Sequence, residues 1–181
     1  MRARGRTEEH GVRGVKDGHC GYALTVSSPT RKEAGMGTKV REAMTERPRC
    51  VTPDTSVRQV AEVMEADDIG AVPVLEGERL SGMVTDRDIV IRAVAKGKDP
   101  SGMPVREIFS PEVVTVGPDD DLSNARELMA EHQVRRLPVV DEDNRLVGIV
   151  SQADIALEAK EKDVGQMVGE ISRPPDGPRQ V

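Results

Sequence analysis

One short pattern of chemically useful residues occurs twice in the sequence: a hydroxyl residue is followed three positions later by an aspartate. Thr85 precedes Asp88 in this way, and Ser151 precedes Asp154. A carboxylate accepts hydrogen bonds from paired hydroxyl groups, and a hydroxyl beside the free N–H groups of a helix start suits a phosphate. The same spacing is also that of a helix capping box, which needs no ligand. Both interpretations can hold together, because a capped helix start can face a cleft.

Sequence motifs of catalysis are absent. The 181 residues contain no Gly-x-x-x-x-Gly-Lys-Ser/Thr loop, no Gly-x-Ser-x-Gly elbow and no His-Glu-x-x-His zinc motif. The two cysteines, Cys20 and Cys50, are too few for a metal cluster or a disulfide framework. The acidic run 119–121 stands where a helix is predicted to begin, a place that favours carboxylates without any metal. We therefore expect no enzymatic activity, no required cofactor and no metal site.

Composition excludes several further classes of protein. Aromatic residues make up 1% of the chain, which argues against a stacking platform for single-stranded nucleic acid. The net charge of −6 argues against a general binder of phosphate backbones, so nucleic acid is not an expected partner. Binding of nucleic acid through the basic N-terminal arm is kept as a weak alternative. No apolar run approaches the roughly 18 residues of a membrane span. We expect a soluble, cytoplasmic protein with no membrane partner.

The elements that must position the Thr/Ser-x-x-Asp pattern belong to an internal repeat. Residues 40–42 recur as 105–107, and the same offset of 65 carries residues 73–74 onto 138–139. One extra residue enters the second copy in the turn 141–144, after which the offset is 66. A period this long indicates a duplicated small domain, because solenoid repeats are shorter.

Each copy predicts the order β-α-β-β-α. In the first copy, Val57, Val60, Ala61 and Met64 have the spacing of one helix face, and Ser56 stands at the N-cap, where Asp121 stands in the second copy. A second helix is predicted after each Thr/Ser, ending near Gly97 in the first copy. Short β-prone pieces and strand pairs are predicted at residues 50–52, 71–75 and 80–84, and at 113–116, 137–140 and 146–150. One such unit buries only a marginal core, so we expect two to pack face to face in an α/β (α+β) fold.

Four parts of the chain are predicted. Residues 1–36 form a basic tail, predicted to be disordered because residues 1–35 combine seven basic and four acidic residues with no apolar periodicity. Residues 37–100 hold the first repeat, and residues 101–162 hold the second. Residues 163–181 are predicted to form a flexible C-terminal tail, whose last nine residues include three prolines.

Four runs within the repeats resemble the signature of the cystathionine-β-synthase (CBS) domain. They are residues 69–74 and 82–89 in the first copy, and residues 134–141 and 148–155 in the second. The resemblance implies two CBS repeats packed with pseudo-two-fold symmetry and clefts between them. It also implies adenosine-containing ligands, with AMP, ADP, ATP, NAD and S-adenosylmethionine as candidates.

The resemblance assigns roles to individual residues. The family motif Thr/Ser-x-x-Asp is matched by Thr85 with Asp88 and by Ser151 with Asp154, whose carboxylates would hold ribose hydroxyls. An aliphatic slot for adenine would be lined by residues of both copies: Val51, Ala71, Val72, Val116, Arg136 and Leu137. The alternative for the apolar members of this set is ordinary core packing.

Three arginines are candidates for binding the phosphates of such a ligand, since a guanidinium fork matches phosphate oxygens: Arg87, Arg135 and Arg136. His132 is a weaker candidate. Ala153 stands in the second copy where the first has Arg87, and residues 70–71 are Gly-Ala where the second copy has two arginines. The two clefts are therefore not equivalent. The alternative is that these arginines form weak surface ion pairs.

The function that follows is that of a regulatory, energy-sensing module. It would bind an adenosine-containing nucleotide between the repeats and signal to an unidentified protein partner by a conformational change. The resemblance also implies a homodimer. The alternative is a structural dimerisation or scaffold module that binds no ligand.

Overall fold

The computed structural model describes residues 37–158 and 161–173, so the predicted tail 1–36 lies outside the described residues. The elements, in chain order, are α1 (Val40–Ala43), β1 (Thr45–Glu46), α2 (Val57–Asp67), β2 (Ala71–Glu76), β3 (Arg79–Thr85), α3 (Asp86–Asp88), α4 (Leu122–Glu131), β4 (Arg136–Val140), β5 (Leu146–Ser151), α5 (Gln152–Glu158) and α6 (Glu161–Ile171). A π-helical turn (Ile89–Ala93) and a 3-10 turn (Val94–Lys96) prolong α3. These residues, 86–96, are called the α3 segment below. A further 3-10 turn spans Val105–Glu107.

Each repeat is built around an antiparallel hairpin. Strand β2 pairs with β3, and β4 pairs with β5, close to the predicted strand bounds. The predicted β-prone pieces lie beside these hairpins, where Val51 makes a parallel bridge to Val74 and Val116 makes one to Val139. The helix that follows each piece covers the hairpin with its apolar face.

The starts of the two long helices differ in detail. In α2, Ser56 and Gln59 form both hydrogen bonds of a capping box. In α4, Asp121 is the N-cap residue as predicted, but its side chain makes no cap hydrogen bond. Its Oδ1 instead accepts a hydrogen bond from Lys39 Nζ at 2.9 Å. The Asp121 carboxylate is therefore paired with Lys39 and does not cap α4.

Two short stretches of chain cross from one repeat to the other. The first crossing segment (residues 38–45) packs on the second repeat, where the Val40 N–H donates to the Asp120 carbonyl at 3.0 Å. The second crossing segment (residues 103–110) packs on the first repeat, where the Val105 N–H donates to the Thr55 carbonyl at 2.8 Å. These two bonds are related by the offset of 65. Each folded unit is thus completed by the segment that precedes the other repeat.

Glycines allow the crossing segments to approach the hairpins closely. Met83 and Ser110 exchange two backbone hydrogen bonds of 3.0 and 2.8 Å, and β1 pairs with β5 at the equivalent place. A Cβ at Gly82 would overlap the Ser110 carbonyl oxygen, and a Cβ at Gly148 would lie 2.5 Å from Met44 Sδ. A side chain at either position would therefore displace the segment that crosses it.

The core consists of two clusters, one for each repeat, and each includes residues from a crossing segment. The first cluster comprises Val51, Val57, Val60, Met64, Val72, Val74, Val84, Ala93, Met103, Val105 and Ile108. The second comprises Val40, Val116, Leu122, Ala125, Met129, Leu137, Val139, Val150, Ile155, Met167 and Ile171. Val40 and Val105, equivalent residues in the two copies, are both fully buried. Equivalent residues of the two sequence repeats thus occupy equivalent places in the two cores.

Helix α6 lies in the part of the chain that the sequence assigned to a flexible tail. Its residues Met167 and Ile171 are 1% and 7% exposed and belong to the core of the second repeat. The folded part of the second unit therefore reaches Ile171 at least. Among the described residues, no helix is both long and apolar enough to cross a membrane. The location of the protein in the cell stays a prediction.

Candidate functional site

The Thr-x-x-Asp pattern of the first repeat forms a complete capping box at the start of the α3 segment. Asp88 Oδ2 accepts hydrogen bonds from the Thr85 N–H at 2.9 Å and from the Thr85 hydroxyl at 2.6 Å. The Asp88 N–H in turn lies 3.2 Å from Thr85 Oγ1. One carboxylate oxygen is therefore used to fix the helix start, and the other, Oδ1, is oriented by this arrangement.

The second repeat forms the same box. Asp154 Oδ2 accepts from the Ser151 N–H at 2.8 Å and from the Ser151 hydroxyl at 2.7 Å. The capping interpretation is thus confirmed for both copies. It leaves the ligand interpretation open, since a half-buried carboxylate in each copy keeps one oxygen outside the cap.

A cleft of about 710 Å³ lies between the repeats, and the Thr85–Asp88 box opens into it. This volume is within the range of roughly 300–1,000 Å³ that is usual for small-molecule sites. Its charged lining combines both copies, with Asp86, Arg87 and Asp88 from the first repeat and Glu112, Arg135 and Arg136 from the second. Its apolar wall, which the sequence analysis did not single out, is formed by Met83, Val113, Val114, Val134 and Pro138.

Six of the twelve predicted site residues line this cleft: Ala71, Thr85, Arg87, Asp88, Arg135 and Arg136. Four of the predicted slot residues belong to the hydrophobic core instead: Val51, Val72, Val116 and Leu137. Val72 and Leu137 are fully buried because successive side chains of a strand point to opposite faces, so their neighbours Ala71 and Arg136 face the cleft. Ser151 and Asp154 are not among the residues that line it.

The three cleft arginines are exposed and make no ion pair within the described part of the chain. Most other described arginines do pair with a carboxylate: Arg41, Arg49, Arg58, Arg92, Arg106, Arg126 and Arg145. The contrast is informative because paired guanidinium groups have their charge offset locally. Arg87, Arg135 and Arg136 make no such pair, although Asp86 and Glu112 line the same cleft, as does His132.

The surroundings of the second Ser-x-x-Asp box differ. Arg49 stands at the position equivalent to Val114, and its Nε lies 2.7 Å from Asp67 Oδ2. Ala153 replaces Arg87 beside Asp154. The surroundings of the two boxes therefore differ in charge, as the sequence predicted. The box at Asp88 has more neighbouring arginines that make no ion pair within the described residues.

The acidic run before α4 is explained by ion pairs. Arg41 pairs with Asp119, and Lys39 pairs with Asp121. The hydrogen bond to Asp121, together with the attraction of the three carboxylates, raises the pKa of Lys39 above its usual range, against a smaller opposing effect of desolvation. No group of three or more potential metal ligands occurs among residues 37–158 and 161–173.

These features define a tandem pair of CBS domains. The family model of the CBS domain matches residues 40–94 and 105–161, and the chain belongs to this family. The predicted family and α+β fold are thereby confirmed.

Two relatives are particularly similar over most of their length. The CBS domain-containing protein YhcV of Bacillus subtilis is 44% identical over 118 residues, which are 65% of this chain and 83% of YhcV. Hypoxic response protein 1 of Mycobacterium tuberculosis is 39% identical over 138 residues, which are 76% of this chain and 96% of the relative.

Solved structures with the same fold contain adenosine ligands. The CBS domain pair of MJ0100 in complex with 5-methylthioadenosine and S-adenosyl-L-methionine gives a TM-score of 0.62 at 26% identity, over 68% of this chain and 96% of that chain. CBSX2 in complex with AMP gives 0.60 at 29% identity, over 67% and 96%. CBS pairs similar to this one thus bind adenosine ligands.

Proposed function

We propose that this protein is a regulatory module that binds a phosphate-bearing adenosine nucleotide in the cleft between its repeats. The proposal rests on one observation. The Thr85–Asp88 box and Arg87 of the first repeat line the same cleft as Arg135 and Arg136 of the second repeat, and these three arginines make no ion pair within the described residues. A carboxylate and a cluster of guanidinium groups are complementary to the two polar parts of a nucleotide, its ribose hydroxyls and its phosphates.

Each part of the nucleotide has a matching wall. Asp88 Oδ1, the oxygen outside the capping box, would accept from a ribose hydroxyl. Arg135 and Arg136 would contact phosphate oxygens. Val113 and Val114 offer an aliphatic surface to the adenine ring, in a chain whose described part has no tyrosine or tryptophan to stack on it.

The relatives support the ligand class, and the local charge favours its phosphorylated members. CBSX2 was solved with AMP, and MJ0100 with ligands that carry no phosphate. Arg135 and Arg136, adjacent in sequence on one wall, would attract phosphate oxygens, although Asp86, Asp88 and Glu112 line the same cleft and offset part of this charge. We therefore expect AMP, ADP, ATP or NAD to bind more tightly than S-adenosylmethionine. A response to adenylate charge would make the protein an energy sensor.

Binding can produce a signal because the cleft has walls on both repeats. A ligand that contacts both walls favours the relative arrangement in which it binds best, and so shifts the population of conformers. The partner that would read this shift is an unidentified protein.

Thermal unfolding with a panel of ligands tests the proposal. ADP at about 100 times its dissociation constant should add roughly 2.7 kcal/mol to the stability of the native state. The panel includes adenosine and inorganic phosphate, which separate recognition of the two halves of the nucleotide. No stabilisation by any phosphorylated adenosine at millimolar concentration would refute the proposed function.

Matched arginine variants locate the binding site. Replacing both Arg135 and Arg136 with Gln should weaken ADP binding by about tenfold or more, because hydrogen bonds to charged groups contribute about 1.5–3 kcal/mol each. Arg79→Gln is the control, since Arg79 is also exposed and unpaired but does not line the cleft. Equal effects of the double variant and the control would show nonspecific attraction of an anion.

The scaffold alternative is favoured by a separate observation, an exposed apolar surface on the α3 segment and α5. Val90, Ile91, Val94 and Leu157 are 56%, 45%, 58% and 84% exposed. Ile91 and Leu157 are equivalent residues at the offset of 66. A surface repeated by the internal symmetry suits a second copy of the chain, so we expect a homodimer. Sedimentation analysis tests this: Ile91→Glu should be monomeric, and a wild-type dimer whose assembly ignores nucleotides would favour the pure scaffold.

A further inference from the structure

One side chain links the candidate ligand carboxylate to the second crossing segment. Arg92 Nε lies 3.4 Å from Asp88 Oδ1, the oxygen that the capping box leaves outside. Arg92 Nη1 donates to the Ile108 carbonyl at 2.5 Å and lies 3.3 Å from both the Phe109 carbonyl oxygen and Ser110 Oγ. A planar guanidinium with five N–H donors can make these contacts together, whereas an ammonium group cannot span them.

The end of the link at Asp88 is held in place by hydrogen bonds. The Asp88 side chain is 15% exposed, and its Oδ2 is held by two donors from Thr85. Its ion pair with Arg92 is long and therefore weak enough for a ligand hydroxyl to compete for Oδ1. Ligand binding at this oxygen would change the contacts of Arg92.

The other end of the link is a wall of the cleft. The crossing segment is anchored by Ile108, which is 1% exposed in the core of the first repeat, and by the paired hydrogen bonds between Ser110 and Met83. Ser110 itself lines the cleft, and the chain continues from it into the apolar wall at Val113 and Val114. Arg92 therefore sets the position of this wall relative to Asp88.

Within the described residues, the second repeat shows no such link. The residue equivalent to Arg92 is Glu158, whose charge is opposite and whose carboxylate cannot donate to carbonyl groups. The helix is also regular there, while Arg92 lies in the π-helical turn Ile89–Ala93. π-helical turns inserted in helices are frequent at functional sites.

We infer that Arg92 is a positioning residue that couples nucleotide binding at Asp88 to movement of the second crossing segment. The inference rests on the proposed function, since it takes the nucleotide cleft as given. A ribose hydroxyl bound to Asp88 Oδ1 replaces the Arg92 contact, and the guanidinium then turns fully toward the carbonyls of Ile108 and Phe109. The crossing segment carries this change to the linker between the repeats.

Hydrogen–deuterium exchange of the full chain, with and without saturating ADP, tests the inference. In the wild type, ADP should slow exchange of the amides in residues 105–114 by threefold or more. Arg92→Met removes the group that competes for Asp88 Oδ1, so ADP should still bind, and at saturation the protection of this segment should be unchanged by ADP. Arg92→Lys keeps the charge but cannot span both ends, so it should bind ADP without recovering the response.

Arg58→Met is the matched control, because Arg58 makes an exposed ion pair with Glu62 on α2 and does not line the cleft. Affinity and response should both equal those of the wild type. A full response in Arg92→Met or Arg92→Lys would overturn the inference, as would a wild type that binds ADP with no change in residues 105–114. A wild type that binds no ADP would instead refute the proposed function on which the inference rests.

Discussion

Gly82 is the position where one added methyl group tests the packing of the crossing segments most severely. A Cβ at this position would overlap the Ser110 carbonyl oxygen and lie 2.6 Å from a ring carbon of Phe109. To admit it, the second crossing segment must move away from β3 and lose the two hydrogen bonds between Met83 and Ser110. Two backbone bonds at about 1 kcal/mol each, added to an overpacking cost of about 1–3 kcal/mol, predict that Gly82→Ala destabilises by about 3–5 kcal/mol.

The internal symmetry supplies a matched comparison. At Gly148, the equivalent position, the nearest atom to an added Cβ is Met44 Sδ at 2.5 Å, with the Thr45 carbonyl oxygen at 3.0 Å. A methionine side chain can turn aside, so Gly148→Ala should cost about 1–2 kcal/mol. Gly165→Ala, with open space around the added Cβ in α6, should stabilise slightly because alanine has the higher helix propensity.

Urea unfolding followed by far-ultraviolet circular dichroism measures all three variants, since one Tyr, one Phe and no Trp give little fluorescence. The expected order of loss is Gly82→Ala, then Gly148→Ala, with Gly165→Ala at or above the wild type. A Gly82→Ala protein that is as stable as Gly148→Ala would refute the close approach of the second crossing segment to β3.

Three further predictions concern stability. Ser56→Ala removes the hydroxyl that accepts from the Gln59 N–H in the α2 capping box and should cost about 1 kcal/mol, measured by thermal unfolding; a loss below the error of the method would contradict the box. Met167→Ala should cost about 2–4 kcal/mol in urea unfolding, because this α6 side chain is 1% exposed; an effect near zero would mean that α6 is detached in solution. The raised pKa of Lys39 means that its pair with Asp121 stabilises the fold below the ordinary lysine pKa and that this contribution disappears as the pH rises through the folded-state pKa. Stability curves of the wild type and Lys39→Met should therefore converge at strongly alkaline pH, and a constant difference would contradict the ion pair.

Local sequence signals predicted the elements of each repeat, but not how the repeats share their segments. Short apolar patterns predict the hairpins, and a capping box predicts the start of α2. Each of these signals spans only a few residues. The crossing segments carry no such information. Nothing near Val40 and Val105 in the sequence indicates that each is buried in the opposite repeat. Only the tertiary structure decides such non-local packing.

The candidate site was predictable by residue type and less so by position. The capping boxes and unpaired arginines follow from motif and charge, and the structure places Arg87, Arg135 and Arg136 at one cleft. The alternation of side chains along a strand decides which of the predicted apolar residues reach the cleft. Val72 faces the core, while its neighbour Ala71 faces the cleft. Helix α6 had a detectable signal in the spacing of Val164, Met167 and Ile171, which the prolines that follow obscured.

Calorimetric titration with ADP of three proteins, the wild type, Asp88→Ala and Asp154→Ala, tests the central claim most directly. The two substitutions remove equivalent carboxylates and equivalent capping boxes, and Asp88→Ala in addition removes the long ion pair with Arg92. We predict about one ADP bound per wild-type chain, a loss of affinity of about tenfold or more in Asp88→Ala, and little change in Asp154→Ala. Undiminished binding by Asp88→Ala, or equal losses in the two variants, would contradict the assignment of the nucleotide to the arginine-lined cleft.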